Sequence, residues 1–411
     1  MSGSRTVRLR YGRSTIELAV PAAAERLEPC EPALLLDRDN FRAGLAAELP
    51  DPLPSGRIAI VVADKTRLCG YPTILPWLVE LLAERGAGPE RVVFLIAYGV
   101  HSRQSEEESL AAYGPVYRQY PFVHHDCDDQ DAFVDLGRTG RGTPARVRRE
   151  LVEAGLVLTV GAVSHHYFAG FGGGRKLLFP GLGERRAILA NHRLFLDPAT
   201  RTLHPNCRAG QLAGNPLAED LDEIARLLPR PLSVHGLLDS SGALVACRFG
   251  RGPDAFTRAC REHDRCFRAP GDRRYDLVVA SAGGYPKDIN LIQAHKAIDN
   301  AAGFVGDGGT LVLLAECADG VGSAGFLPFF DLGGREQAFD QLIRDYSGNG
   351  GTALALMAKN ERIRIRLLTA LDPEVCQRIG VRPITAAETE QLLRAEAESC
   401  AVIANASLLV R

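Results

Sequence analysis

The chain has no apolar run that could cross a membrane. Its longest, near Val92–Val100, falls far short of the ~20 residues a spanning helix needs. It has no C-x-x-C: ten cysteines are scattered singly, and the closest pair, Cys260 and Cys266, has five residues between. That excludes a zinc knuckle and a thioredoxin-type site, and predicts a reduced, cytoplasmic protein. Charge of neither sign dominates, with 48 Lys plus Arg against 50 Asp plus Glu and a net −2. A polyanion-binding surface is therefore not expected, and nucleic acid is excluded as the main partner. No H-E-x-x-H occurs. The stretch from Gly170 to Lys176 is no Walker loop, because Arg175 stands where Gly must precede the lysine and Leu177 where Ser or Thr must follow. Nor is it G-x-G-x-x-G, since Arg175 takes the last glycine position. At the N-terminus Arg5, Arg8, Arg10 and Arg13 sit in an alternating pattern, which reads as a strand and not as an apolar secretory leader.

What is present is an ordinary globular composition, 46% hydrophobic and 24% charged over 411 residues, enough for two domains or three. The β-branched run Arg57–Ala63 ends at Asp64. A helical pattern from Ile74 to Arg85 follows, stopped by Gly86 and Gly88, and then a second strand, Val92–Ala97. Leu156–Val160 is a third such run, after a helix-like 144–153. Strands apolar on both faces and separated by helices predict a mostly parallel sheet covered on both sides. Around Leu232–Phe249 two apolar runs flank Asp239-Ser240-Ser241-Gly242, a hairpin signal, and a helix is expected near Asp254–Cys266. The polar APGDRR segment then marks a boundary near Pro270. Beyond it Asp276–Ala280, a helix over 290–302 and Thr310–Ala315 restart the strand–helix–strand order. The expected architecture is α/β with a larger N-terminal domain (1–269), a smaller C-terminal α/β domain (270–411) and the active site in the cleft between. The closing segments AVIAN and SLLV could pair in either.

Ligands of such sheets collect beyond the carboxyl ends of the strands, and several reactive residues fall there. Asp64-Lys65-Thr66-Arg67 follows the first strand, His101 the second, and His165-His166 the third. Asp64 suits a turn cap or a positioning role, and Arg67 a surface charge or a fork for a substrate carboxylate. Gly170, Gly172, Gly173 and Gly174 let backbone N–H groups approach an anion, with Arg175 and Lys176 adding charge beside them. The bland alternative is a flexible turn with a solvated basic pair. His192 lies sixteen residues after Lys176. Two imidazoles at strand ends, and a third near an anion loop, suit a reaction whose acid and base exchange roles. In the second domain Gln293 and Lys296 are three apart at a helix start and share a face.

These residues resemble a known pattern. HYFAGFGGGRK (His166 to Lys176), Pro180-Gly181 and Asn191-His192 resemble the signature of the nickel-dependent lactate racemase family, as do Asp64-Lys65-Thr66-Arg67 and Tyr98-Gly99-Val100-His101. Gln293-Ala-His-Lys296 is similar to that family's C-terminal, substrate-side motif, so the resemblance spans nearly the whole chain. It implies a racemase or 2-epimerase of a 2-hydroxy acid acting by hydride transfer. The implied cofactor is a nickel pincer nucleotide (pyridinium-3-thioamide-5-thiocarboxylic acid mononucleotide carrying nickel), made by dedicated biosynthesis proteins. By matching position, Lys176 would tether it through a thioamide and His192 would ligate nickel. Asp64, Gly172, Gly173 and Gly174 would line it. His101 and His166 would be the acid/base pair, and Arg67, Gln293 and Lys296 would hold substrate. Two departures stand out: Val100 replaces the family's threonine, and Ile292 a tyrosine. The first loses a hydroxyl but keeps the base, and the second makes the pocket less polar and points away from lactate itself. Two readings of the residues compete with this one. A zinc hydrolase or lyase would use His101, His166 and His192 as three ligands, and a non-catalytic nucleotide-binding protein would keep only the glycine loop.

Overall fold

The computed structural model describes residues 3–32, 36–395 and 399–411. They form two compact units. One comprises Glu31–Phe195 with Pro205–Cys266. The other, which holds both ends of the chain and is called the terminal unit below, comprises Met1–Cys30, Leu196–His204 and Phe267–Arg411. Among the described residues no helix is long and apolar enough to cross a membrane.

The first unit is built on a six-stranded sheet in the order Leu244–Arg251, Leu232–Leu238, Leu156–Ala162, Ile58–Ala63, Val92–Ala97, Phe122–His124. Neighbours run parallel except the first two, which form the hairpin expected around Asp239. All six residues of Ile58–Ala63 and of Val92–Ala97 are buried, as a strand covered on both faces requires. The helix between them, Tyr71–Glu84, buries Ile74, Leu75, Leu78, Val79 and Leu82. It ends where Gly86 turns left-handed at φ 81° and Ala87 N–H reaches back to the Leu82 carbonyl. The chain adds strands on one side of Ile58–Ala63 and then returns to the other side with Leu156–Ala162. The reversal point of the sheet therefore lies between those two strands, where crevices for ligands open.

One expectation fails here. Residues 144–153 are not a helix: Pro144–Arg148 is a strand paired with Phe133–Arg138, and only Glu150–Glu153 turns helically. Ala145 and Val147 are buried while Pro144 and Arg146 are half-buried, a period of two that a mixed apolar and basic stretch hides.

The terminal unit holds a wholly parallel sheet in the order Arg382–Pro383, Arg364–Leu368, Val305–Leu314, Tyr275–Ser281, Cys400–Ile403, Glu25–Leu27. The units divide near residue 266, and residues 3–30 do not stay with the segment that follows them. The N-terminal hairpin, Ser4–Tyr11 with Ser14–Pro21, packs Val7, Leu9, Leu18 and Val20 against Leu277, Val279, Val312 and Val402. Glu25–Leu27 then adds an edge strand beside Cys400–Ile403. AVIAN thus pairs here, whereas SLLV contributes only the isolated bridge Arg268–Val410.

Candidate active site

The strand Ile58–Ala63 delivers Asp64, which is 3% exposed. Its Oδ1 accepts from the backbone N–H of Thr66 at 2.7 Å and from Thr66 Oγ1 at 2.6 Å, and its Oδ2 lies 2.6 Å from His101 Nδ1. Burial alone would raise the Asp64 pKa, but the bonds from His101 and Thr66 outweigh it and hold the carboxyl below the usual value. An ionised carboxylate on Nδ1 keeps the ring proton there and leaves His101 Nε2 as the nitrogen that exchanges protons. The turn carrying His101 follows Val92–Ala97. Gly99 occupies φ 58° in it and donates to the Gly181 carbonyl at 2.8 Å, and His101 N–H donates to Tyr98 O.

The third strand continues into a small hairpin in which Ser164–His166 pairs with Gly170–Gly172. His165 and His166 therefore point to opposite faces. His165 is buried against the helix Gly252–Phe267, its Nε2 2.7 Å from Asp264 Oδ1. His166 turns back over its own loop, where its Nδ1 accepts from the backbone N–H groups of Phe168 at 3.2 Å and Ala169 at 3.0 Å. Asn215, fully buried, holds that loop from below with Nδ2 on the Phe168 carbonyl at 2.8 Å.

The glycines have a steric reason of their own. At Gly173, φ is 79° and a Cβ would overlap the Ala162 carbonyl. At Gly174 a Cβ would run into the Phe256 ring. A four-residue helix, Arg175–Leu178, follows. The two basic residues in it separate. Arg175 turns inward: its guanidinium is buried 2.6 Å from Asp222 and 4.7 Å above the Phe256 ring. Lys176 is half-buried, and desolvation, helped by the charges of Arg175 and Arg67, lowers its pKa to about 7. His192 closes the helix Arg185–His192, which Glu184 caps, and is half-buried as well. Desolvation first, then Lys176 and His101, push its pKa down to about 3, so the ring is neutral at pH 7 and one of its nitrogens keeps a free lone pair.

These influences map one neighbourhood: Arg67 acts on Lys176, Lys176 and His101 act on His192, and His101 is bonded to Asp64. His166 reaches the same carboxyl edge of the sheet on the extension of Leu156–Ala162. Arg67 is exposed, with Nη1 on Thr66 O at 2.9 Å. Gln293 and Lys296 belong to the terminal unit, on the helix Leu291–Ala302, with Lys296 Nζ 2.8 Å from Gln293 Oε1. His295 between them is 1% exposed, not turned to solvent. Among the described residues the one group of three whose ligand atoms all lie within 4.8 Å of one another is Asp126, Cys127 and Asp128, and Asp128 already pairs with Arg185. His101, His166 and His192 do not form the preassembled triad that the zinc reading needs.

Sequence reasoning missed two pairings. Asp64 and His101 end neighbouring parallel strands, so their meeting was open to inference once the strand order was known. Asp264 lies 99 residues beyond His165, and no local pattern joins them.

The family model described as the lactate racemase N-terminal domain matches residues 49–203, and the lactate racemase C-terminal domain matches 271–352. Together these span more than half of the chain. A lactate racemase of Thermoanaerobacterium thermosaccharolyticum is 31% identical over 275 residues, which are 66% of this chain and 63% of that protein. One from Lactiplantibacillus plantarum is 29% identical over 290 residues, 70% of this chain and 66% of the relative. The alignments thus span slightly under two thirds of either relative. Among solved structures, the lactate racemase apoprotein of T. thermosaccharolyticum superposes with a TM-score of 0.88, covering 99% of this chain and all of that one at 24% identity. A Thermotoga maritima protein gives 0.66 over 92% of this chain and 98% of its own at 16% identity. Both show the fold.

Proposed function

The chain belongs to the lactate racemase family, and from that premise we propose that it is a cytoplasmic isomerase, a racemase or 2-epimerase of a 2-hydroxy acid. One observation carries this reading: the Asp64-backed His101 shares a neighbourhood with an amine near neutrality and an uncharged imidazole.

That neighbourhood fits a tethered nickel pincer nucleotide. An uncharged Lys176 amine is able to form a thioamide link, which an ammonium cannot do. A neutral His192 would offer an imidazole lone pair to the nickel, a metal that imidazole suits. Gly172, Gly173 and Gly174, without side chains, leave backbone open beside the tether. When bound, the cofactor would accept a hydride from C2 and return it, chemistry that no side chain supplies.

Everything else falls to this chain. Arg67 holds the substrate carboxylate, a role shared with Gln293 and Lys296 by their match to the family motif. His101 takes the hydroxyl proton on Nε2, and Asp64 neutralises the imidazolium that results. His166 serves the oxygen when the opposite hand is formed, so that the pair alternates as base and acid. Ile292 removes a phenol relative to the family, which points away from lactate towards other 2-hydroxy acids.

Protein produced alongside the cofactor-making proteins should interconvert the enantiomers or epimers of at least one acid in a panel of chiral 2-hydroxy and sugar acids, followed by polarimetry. Its intact mass should exceed that of the polypeptide, and Lys176→Ala should abolish both gains. An unmodified native mass together with an inert panel would refute the reading.

A further inference from the structure

Asp64 and His101 face each other from two separate turns. The His101 side chain is 49% exposed, so packing does little to orient its ring. The 2.6 Å bond to Asp64 therefore lasts only while the two turns keep their spacing. One buried residue grips both. Gln104, 2% exposed, accepts the backbone N–H of Lys65 on Oε1 at 2.9 Å, directly after Asp64. Its own backbone N–H donates at 3.3 Å to the hydroxyl of Tyr98, whose carbonyl receives the His101 N–H. We propose that Gln104 is a positioning residue for the site, setting the Asp64 turn against the His101 turn and so keeping the carboxylate on Nδ1.

A glutamine suits this place because both ends of its amide are used. Ser109 Oγ gives its proton to the Ser105 carbonyl at 2.8 Å, so it can only accept from Gln104 Nε2, at 3.0 Å. Flipping the amide would turn its hydrogens on the Lys65 N–H and its oxygen on the Ser109 lone pairs. The amide is thus held by the helix Glu106–Tyr113, whose first turn Ser105 caps together with Glu108. That helix reaches the same strand end twice more. Tyr113 Oη donates to the Ala63 carbonyl at 2.9 Å, and Glu108 pairs with the Lys65 ammonium. The residues before and after Asp64 are therefore tied to one element, and Gln104 is where that element also meets the His101 turn. Tyr98 is fixed in its turn by His124, whose Nδ1 lies 2.8 Å from the phenol oxygen.

Replacing the amide with an apolar chain of similar length keeps the volume and removes the grip. In Gln104→Met the Lys65 N–H loses its acceptor and Ser109 Oγ its donor, so the Asp64 turn is free to drift from the His101 turn. A supporting group of this kind touches neither substrate nor cofactor, and it acts by holding the reacting groups within a fraction of an ångström of their working positions. Its kinetic consequence rests on the function proposed above, whereas its effect on the Asp64–His101 contact does not.

The test begins with apoprotein labelled with ¹⁵N in histidine, in alkaline buffer where imidazoles are neutral. Ring correlations assigned with His101→Gln should place the His101 proton on Nδ1, next to Asp64. In Gln104→Met both ring nitrogens should move towards the shifts found in Asp64→Ala, and native shifts in the folded variant overturn the proposal. Ser109→Ala removes a bond to the Gln104 amide while touching neither turn, so it should move the same signals in the same direction by less. It decides alone should Gln104→Met not fold, native shifts there overturning the proposal. With cofactor-loaded protein, Gln104→Met should lower kcat by about 10- to 100-fold and change KM by less than about threefold; a loss carried by KM alone overturns the positioning role. Failure of the loaded native protein to racemise any acid would sink the proposed function instead, and the apoprotein result is independent of that outcome.

Discussion

Lys176 should be the most reactive lysine in this chain at neutral pH. There are five lysines, so each is resolved in a peptide map. With a pKa of about 7, Lys176 is about half neutral at pH 7, and Lys287, lowered to about 8 by burial and then Arg10, about one tenth. A lysine at the ordinary value near 10.4 would be neutral in roughly one molecule in 2,500. A weaker base is also a weaker nucleophile, which cancels about half of that gain on a logarithmic scale. An advantage on the order of 50-fold over an ordinary amine remains. Trace labelling with acetic anhydride from pH 5 to 10, read peptide by peptide in a mass spectrometer, should give Lys176 a midpoint near pH 7. Arg67→Ala removes one cation acting on the amine and should move that midpoint upward. The same shift has a stability signature of fixed sign. Between pH 7 and about 10.4 the unfolded chain binds the extra proton, so this group makes the apoprotein more stable as pH rises through that window. A Lys176 midpoint above pH 9 would refute the argument that burial has stripped its charge.

Two other substitutions separate structure from chemistry. Arg175→Met should cost about 3 kcal/mol in urea unfolding, because it leaves the buried side of Asp222 without its cation, whereas Lys176→Met should cost under about 1 kcal/mol; equal stabilities would show that the Arg175–Asp222 pair is dispensable. Asp64→Asn should lower kcat of the loaded enzyme by about 10²–10⁴, as expected when a base loses the group fixing its tautomer, and a loss of only a few-fold would remove Asp64 from the proton path.

The parallel sheet was legible because Ile58–Ala63, Val92–Ala97 and Leu156–Ala162 are continuous apolar runs with polar, glycine-bearing ends. The same ends marked Asp64, His101 and His166, since a strand terminus is a local feature. Side-chain direction was not legible. Arg175 and Lys176 read as one basic pair, yet a single step along the turn sends the first into the protein against Asp222 and leaves the second with a lowered pKa. Likewise nothing in His165-His166 tells which ring meets Asp264 and which meets the loop; alternation along a strand decides it only after the hairpin register is known. The strand Glu25–Leu27 was invisible for another reason. Three residues carry no periodicity, and their partner lies more than 370 positions away.

That last pairing orders events at the ribosome. The hairpin and edge strand leave the ribosome well before their partner and cannot complete their sheet until Cys400–Ile403, more than 370 residues further on, has been synthesised. The unit bearing His101 and Lys176 has all its strands by Arg251 and is free to fold during translation. Until Leu277, Val279 and Val312 have been made, the apolar face of Val7, Leu9, Leu18 and Val20 lacks the residues that cover it, which makes that hairpin a segment exposed to chaperones and to aggregation.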